Sequence, residues 1–121
     1  MGTFRDLVVW QKSMELARTV YMLTKTFPRE ELFGLVSQMN RSSVSIPSNI
    51  AEGFGRESIN EHIHFSYIAL SSSNELGTQL ILSHDFHFID DESFKNVDRL
   101  NSEVGKMLAA FAYKLRKQSK Q

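Results

Sequence analysis

Residues 44–53 read Val44-Ser45-Ile46-Pro47-Ser48-Asn49-Ile50-Ala51-Glu52-Gly53, which is a helical pattern with a proline near its centre. Proline has no amide hydrogen to donate to a helix, and its ring crowds the carbonyl four residues earlier, here that of Ser43. A helix through this segment is therefore expected to be kinked near Pro47. Gly53-Phe54-Gly55 then predicts the end of the helix, because glycine is favoured where a helix stops.

The residues before this motif extend the same helix towards the N-terminus. Pro28 suits a first-turn position, where a helix does not need the missing amide hydrogen. Glu30 and Glu31 follow it, where the helix dipole favours negative charge. The sequence therefore predicts a second helix over residues 29–53, whose apolar face consists of Leu32, Leu35, Val36 and Met39.

Two longer helices are expected after this motif. Ser58-x-x-Glu61 is a capping box, so the third helix is placed over residues 58–88. The fourth helix is placed over residues 91–117, because acidic residues open it and basic residues close it, as the helix dipole favours. Both helices carry apolar residues at heptad spacing, and Asn101 is the one polar member of the series in the fourth helix.

The first helix, expected over residues 4–26, carries two apolar series, although one stripe is enough to pack a surface helix onto a core. The first series, which suits the core, consists of Leu7, Trp10, Met14, Ala17 and Tyr21. The second series either wraps around that core or meets another subunit, and we favour an exposed oligomer interface. Its members are Leu16, Val20, Leu23 and Phe27.

Four helices joined by short loops predict an all-α, antiparallel up-down-up-down four-helix bundle. The 121 residues suit a single domain, 1–121, and 41% of them are apolar, which is enough for one core. No apolar run approaches the ~18 residues that a membrane span needs, and the N-terminus lacks the apolar region of a signal peptide. We therefore expect a cytoplasmic protein without membrane contact. The absence of cysteine excludes disulfides and thiolate catalysis.

Fourteen basic and fourteen acidic residues give a formal net charge of zero. This balance argues against the binding of nucleic acid through bulk positive charge. The charges are unevenly distributed, however, with an acidic segment at 85–92 and a basic segment at 114–120. Contact with RNA or DNA is therefore expected to be weak and local. The candidate nucleic-acid-binding residues are Lys114, Arg116, Lys117 and Lys120, with Arg41 and Arg56 as further candidates.

Three patterns that suggest ligand or enzyme chemistry are incomplete. A di-iron bundle needs two Glu-x-x-His pairs, and this chain has one, Glu61-x-x-His64. The pair His84-x-x-His87 has no carboxylate pattern around it that would complete a metal site. Gly53-x-Gly55-Arg56 lacks both the third glycine and the preceding strand of a dinucleotide site. We expect no catalytic activity, no metal and no cofactor, and keep a metal enzyme as an alternative.

Several motifs of the chain, taken together, resemble those of a known protein family. They are Phe4-x-x-Leu7-x-x-Trp10, Phe27-Pro28, Phe33-Gly34-Leu35-x-x-Gln38, residues 44–53, Gly55-Arg56 and Glu75-Leu76-x-Thr78-Gln79-Leu80. From about Phe4 to Leu115 the chain resembles the four-helix-bundle proteins encoded in intervening sequences of bacterial 23S ribosomal RNA genes. The resemblance implies an antiparallel bundle that assembles as a homopentamer and has no established catalytic activity. The chain also resembles the accessory variability determinant of diversity-generating retroelements, a pentameric barrel that binds a reverse transcriptase and nucleic acid through a basic surface.

The resemblance also implies an architectural role for the motif around Pro47, which would set the kink and the subunit contact. Side chains next to Pro47 are expected to satisfy backbone groups that the kink releases. A polar network between the second and third helices is expected from Gln38, Arg41, Glu52 and Glu75. The structural motif residues are Ser45, Ile46, Pro47, Asn49, Ile50, Ala51, Glu52 and Gly53.

Two functions follow from these observations. The first is a non-enzymatic oligomeric bundle that associates with nucleic acid as a ribosomal-RNA-related or retroelement-like accessory protein, and the resemblance implies that it is a homopentamer. The alternative is a protein–protein interaction scaffold without nucleic-acid binding. The partners implied are further copies of the chain, RNA or DNA bound weakly, and another protein.

Overall fold

A computed structural model describes residues 2–120, and within them every regular element is a helix. The four long helices are α1, Val8–Thr24; α2, Ser37–Phe54; α3, Ile59–Asp85; and α4, Asp91–Ser119. Short helical turns precede α1 at Phe4–Asp6 and precede α2 at Arg29–Glu31 and Leu32–Val36. The all-α class and the count of four helices are confirmed. No helix among residues 2–120 is long and apolar enough to cross a membrane.

Side-chain caps fix the starts of the two longest helices. The hydroxyl of Ser58 accepts a hydrogen bond from the Glu61 amide at 3.1 Å, which begins α3. The Asp90 carboxylate accepts one from the Ser93 amide at 2.7 Å, which begins α4. Each cap satisfies an amide that has no partner inside its helix. The loop between α3 and α4 is therefore short and well defined, and the two helices are held side by side.

The helix that contains Pro47 is continuous. Residues 37–54 form one unbroken helix that includes Pro47, so no break occurs there. The irregular segment is Leu32–Val36, a π-helical turn in which Gly34 has non-helical dihedral angles (φ −110°, ψ −113°). The Glu31 carboxylate accepts from the Leu35 amide in this turn at 3.4 Å. Because proline removes only one hydrogen bond from a helix, its neighbours can keep the ladder intact.

Hydrogen bonds between helices give the relative direction of three of them. Ser42 of α2 donates to Gln79 of α3 at 2.8 Å, and Ser72 of α3 donates to Ser45 at 2.8 Å. A higher residue number on α2 thus meets a lower one on α3, so these two helices run in opposite directions. The same holds for α3 and α4, where Ser73 meets Asn101, Tyr67 meets Arg116 and His84 meets Asp91. The first helix packs against α2 and α4.

The core corrects the prediction for the first helix. Leu16 and Val20 have no exposed surface and Phe27 is buried, while Leu23 packs against the same core. The physical reason is that these side chains pack on apolar residues of the other three helices, so a second subunit cannot cover them. The core contains Leu16, Val20, Phe27, Met39, Ile46, Ile50, Ala69, Leu76, Leu80, Ile89, Val97, Leu100, Val104 and Leu108.

Small polar side chains bring α3 close to its neighbours. The amide of Asn101 donates to the Ser73 carbonyl at 3.0 Å, and the Ser73 hydroxyl donates to the Asn101 side-chain oxygen at 2.9 Å. Both residues are buried. Among residues 2–120, no buried side-chain nitrogen or oxygen lacks a hydrogen-bond partner. The polar contacts in the interior are therefore satisfied, as a stable bundle requires.

Replacement of Asn101 by alanine tests this contact. We expect Asn101→Ala to lower the free energy of unfolding by about 1–3 kcal/mol, because Ser73 loses its buried partner. Chemical denaturation followed by circular dichroism measures the change. Ser102→Ala is the control, since Ser102 is an exposed neighbour on the same helix. Equal stability of the two variants would show that the Asn101–Ser73 pair contributes nothing.

Candidate functional site

The antiparallel packing gathers most of the predicted nucleic-acid-binding residues at one end of the bundle. Arg56 lies in the loop between α2 and α3, and the other four lie in the last two turns of α4 or just after it. The guanidinium of Arg116 donates to the Tyr67 hydroxyl at 2.9 Å, which joins the end of α4 to the beginning of α3. We call this the basic end, defined by Arg56, Lys114, Arg116, Lys117 and Lys120, all of which are exposed.

Arg41 is not part of the basic end. It lies on α2, fifteen residues before Arg56, which corresponds to about 22 Å along a helix axis. The contact with nucleic acid predicted for Arg41 would therefore involve a surface separate from that of the α4 cations. It is exposed on the half of α2 that lies beside the end of α3.

The cations of the basic end differ in their ion pairs and in their contacts with aromatic rings. Arg56 forms an ion pair with Glu52 and lies 5.0 Å from the centre of the Phe65 ring, so part of its charge is neutralised. The ammonium of Lys117 lies 5.1 Å from the centre of the Tyr113 ring. No carboxylate of residues 2–120 forms an ion pair with Lys114, Arg116 or Lys117. These three cations are thus available to an external anion.

The opposite end of the bundle is acidic. Asp90, Asp91 and Glu92 open α4 close to the end of α3, where Asp85 lies. Hydrogen bonds from the backbone and side chain of Ser93 lower the pKa of Asp90. A hydrogen bond from His84 and the charge of that ring lower the pKa of Asp91. The lowered pKa values mean that Asp90 and Asp91 stay ionised to a lower pH than ordinary aspartates. The acidic and basic segments thus lie at opposite ends of the bundle although the whole chain is neutral.

An apolar groove of about 690 Å³ runs between α1 and α2 on the outside of the bundle. Its α1 wall carries the apolar series that was expected to face the core, and Tyr21 and Met22 are 44% and 63% exposed. Leu7 and Trp10 of this series also pack against the edge of the core and Ala17 is buried, so the series borders both the core and the groove. The groove is lined by Trp10, Met14, Ala17, Arg18, Tyr21, Met22, Val44, Pro47, Ser48 and Ala51.

The motif at residues 45–53 serves both the core and this groove. Ile46 and Ile50 point into the core, whereas Pro47 and Ala51 line the groove. Gly53 lies against α3 so closely that a β-carbon there would be 2.9 Å from the β-carbon of Phe65. The motif thus sets the distance between α2 and α3 while it shapes the outer surface.

Polar residues of the motif bond locally. The side-chain amide of Asn49 donates to the Ser45 carbonyl at 2.8 Å and to its hydroxyl at 3.0 Å. Glu52 pairs with Arg56 instead of reaching α3. The polar network predicted between the second and third helices is wrong in its members, since Gln38 and Arg41 are exposed. The two helices are joined by Ser42 with Gln79 and by Ser45 with Ser72, and Gln79 also donates to Glu75 within α3 at 3.3 Å.

A second apolar recess of about 580 Å³ lies near the basic end and is lined by residues of all four helices. Phe54 of α2 and Phe111 of α4 are exposed at its edge. His62 also lines the recess, and its ring nitrogen is hydrogen-bonded to the Arg56 carbonyl. Apolar and aromatic surface is thus concentrated at the same end of the bundle as the cations.

The histidines singled out in the sequence are not gathered into a metal site. Within residues 2–120, no three or more histidine, aspartate or glutamate side chains lie close enough together to hold an ion. His84 is bonded to Asp91 at 2.6 Å and stacks on Phe94, with ring centres 4.4 Å apart. His64 packs edge-on against Phe65. The metal alternative therefore has no site in the described part of the chain.

Two exposed tyrosines of the basic end were missed by the sequence analysis. Tyr113 is one helical turn before Lys117, a spacing that places both side chains on one face and that the sequence displays. Tyr67 is distant in sequence from the α4 cations and meets Arg116 only because α3 and α4 are antiparallel. No local pattern could have identified it.

Residues 5–110 match the family model described as 23S rRNA-intervening sequence protein. A solved structure from Bacteroides thetaiotaomicron, described as a protein of unknown function from the S23 ribosomal protein family, superposes with a TM-score of 0.81 at 30% sequence identity. The match covers 87% of this chain and 98% of that one. None of the curated proteins matches significantly.

The close approach at Gly53 can be tested by adding a methyl group. We expect Gly53→Ala to lower the free energy of unfolding by about 1–3 kcal/mol, because α2 and α3 must move apart, even though alanine favours helix. Gly55→Ala is the matched control, since its β-carbon would meet only the Glu52 carbonyl oxygen at an ordinary 3.7 Å. Thermal and chemical denaturation measure both changes. A Gly53→Ala protein as stable as Gly55→Ala would contradict the role assigned to this contact.

Proposed function

The chain belongs to the 23S rRNA-intervening sequence protein family, and on that premise we propose that it is a non-enzymatic, self-associating bundle that contacts nucleic acid through its basic end. The observation that carries the proposal is the separation of charge along the bundle. Lys114, Arg116 and Lys117 project from one end without an ion pair to residues 2–120. The acidic segment lies at the other end, so the cations are not screened by it.

The expected strength of binding follows from the charge. A duplex or a single strand gains affinity when cations replace its condensed counterions, and each phosphate contact adds to the salt dependence. A single subunit offers only a few such cations. Binding by one subunit is therefore weak, and binding by several linked subunits is stronger, because a second contact is made at high effective concentration.

Self-association is assigned to the α1–α2 groove. Contiguous exposed apolar surface on a small domain is characteristic of an interaction site. We propose an up-down-up-down bundle that bends near Pro47 and assembles into a ring of five copies, with the groove covered by a neighbouring copy. Such a ring would place the basic ends of its subunits in one band and the acidic ends in another.

A protein-interaction scaffold is the second candidate, and the same groove favours it. In this alternative, another protein fills the groove and the basic end binds no nucleic acid. Capture of partners after nuclease treatment separates the two functions. Loss of all partners with nuclease supports nucleic-acid association, whereas retention of a protein partner supports the scaffold.

Neutralisation of single lysines tests nucleic-acid binding. We expect the affinity for a labelled RNA, measured by fluorescence anisotropy, to fall steeply between about 50 and 200 mM salt. Lys117→Gln and Lys114→Gln should each reduce the slope of log affinity against log salt concentration by about 1. Lys25→Gln is the control at the other end of the bundle and should leave the slope unchanged. An affinity that does not depend on salt would contradict the proposal.

A charge placed in the groove tests self-association. Light scattering of the unaltered protein is expected to give about five times the 13.9 kDa of one chain. Val44→Glu should shift the mass towards that of one chain, since a carboxylate buried in an apolar contact is costly. Ile81→Glu is the control on the exposed surface of α3. A single-chain mass for the unaltered protein, or an unchanged mass for Val44→Glu, would rule out the groove as the subunit contact.

A further inference from the structure

One face of the bundle combines segments of α3 and α4 that contain no carboxylate. Residues 62–74 of α3 and residues 104–120 of α4 include neither aspartate nor glutamate. The two segments lie side by side, because Ser73 meets Asn101 at one end of the contact and Tyr67 meets Arg116 at the other. The formally charged residues within these two segments are therefore all cations, although Glu61 and Glu103 directly precede the segments in the sequence. These cations are Lys106, Lys114, Arg116, Lys117 and Lys120.

Two exposed aromatic rings lie on this face among the cations. Tyr113 is 62% exposed and Tyr67 is 39% exposed. Arg116 donates to the Tyr67 hydroxyl at 2.9 Å, and Lys117 lies 5.1 Å from the centre of the Tyr113 ring. Arg116 and Lys117 follow Tyr113 by three and four residues, so the three side chains share one side of α4. We call these residues the tyrosine cluster, which consists of Tyr67, Tyr113, Arg116 and Lys117.

Several residues of α4 near the tyrosine cluster are small. Ala109 lies one turn before Tyr113 and is exposed, as is Ala110. Gly105 lies next to Ser73 and Leu70 of α3. Both rings keep exposed surface beside Arg116 and Lys117, so they can be approached from solvent. Lys117 lies over one face of the Tyr113 ring, so a stacked base would either displace the lysine side chain or use the opposite face of the ring.

We propose that the tyrosine cluster binds single-stranded nucleic acid, with bases stacked on Tyr67 and Tyr113 and phosphates held by Arg116 and Lys117. This inference rests on the proposed nucleic-acid association and adds the kind of strand that is bound. Base–aromatic stacking tolerates any sequence, since every base has a flat face. A duplex hides those faces inside its stack and presents its phosphates. The rings therefore favour binding of a single strand, whereas the cations can contact the phosphates of a single strand or of a duplex.

The energetic balance favours this assignment over an acidic peptide. Arg116 and Lys117 would attract the carboxylates of such a peptide, but the two rings would contribute little to it. Stacking of one base on an aromatic ring contributes about as much as a good charge-assisted contact. A ligand that uses both the rings and the cations therefore gains more from this surface than an anion alone.

The test compares strands and ring substitutions. The probes are a labelled poly-uridine oligonucleotide, a duplex of equal length and a glutamate peptide of equal charge, each titrated into the full chain by anisotropy. Tyr113→Leu and Tyr67→Leu keep an apolar side chain and remove the ring. Each should weaken binding of the single strand by about 5-fold or more and change duplex binding by less than about twofold. Phe33→Leu is the control, since it removes an exposed ring outside the cluster.

A further variant separates stacking from positioning. Tyr67→Phe keeps the ring and removes the hydroxyl that Arg116 contacts, so single-strand binding should stay close to that of the unaltered protein. Circular dichroism and light scattering establish that each variant keeps its fold and mass. An exposed ring can be removed from a helix with little loss of stability, which makes this control practicable.

The outcomes distinguish the stacking of bases on the tyrosine cluster from nucleic-acid association in general. Equal losses for single strand and duplex, or no loss for either, would overturn the stacking assignment and leave nucleic-acid association standing. Binding of the glutamate peptide as tightly as the single strand would also overturn it. If neither strand binds the unaltered protein, nucleic-acid association fails and the tyrosine cluster fails with it.

Discussion

The hydrogen-bonded pair of Asn101 and Ser73 fixes the register between α3 and α4, and much of the surface depends on that register. Both side chains are buried and satisfy each other. A slip of one helical turn, about 5.4 Å, would leave them buried without partners. The same register brings Arg116 to Tyr67 at one end of the bundle and His84 to Asp91 at the other. One polar contact in the core thus helps to place charges at both ends.

The helical class could be predicted because periodicity, caps and turn residues agree along the chain. The orientation of α1 could not, since both of its apolar series have helical spacing and only the partner helices decide which is covered. Leu16 and Val20 face the core, and Tyr21 stays on the surface. The irregular turn at Gly34 was not predicted, because a π-helical turn has no clear signal in the sequence. The α4 cations were visible in sequence, but Tyr67 joins them only through tertiary packing.

The net charge of zero does not describe how charge is distributed over the bundle. Acidic caps at the start of α4 and cations at its end both agree with the helix dipole. Antiparallel packing then adds Arg56 to the basic end and Asp85 to the acidic end. Close packing of α2 on α3 through Gly53 leaves Pro47 and Ala51 in the wall of the outer groove. The residues that build the interior therefore also create two different surfaces, one apolar and one cationic.

Hydrogen–deuterium exchange with and without a saturating single-stranded oligonucleotide tests whether nucleic acid binds at the basic end of the bundle. Binding at the end where α3 begins and α4 ends should slow amide exchange in peptides covering residues 56–67 and 109–120. Peptides from the acidic end, residues 85–96, should exchange at the same rate with and without the oligonucleotide. Slower exchange at 85–96 or in the α1–α2 groove, with none at the basic end, would contradict the account.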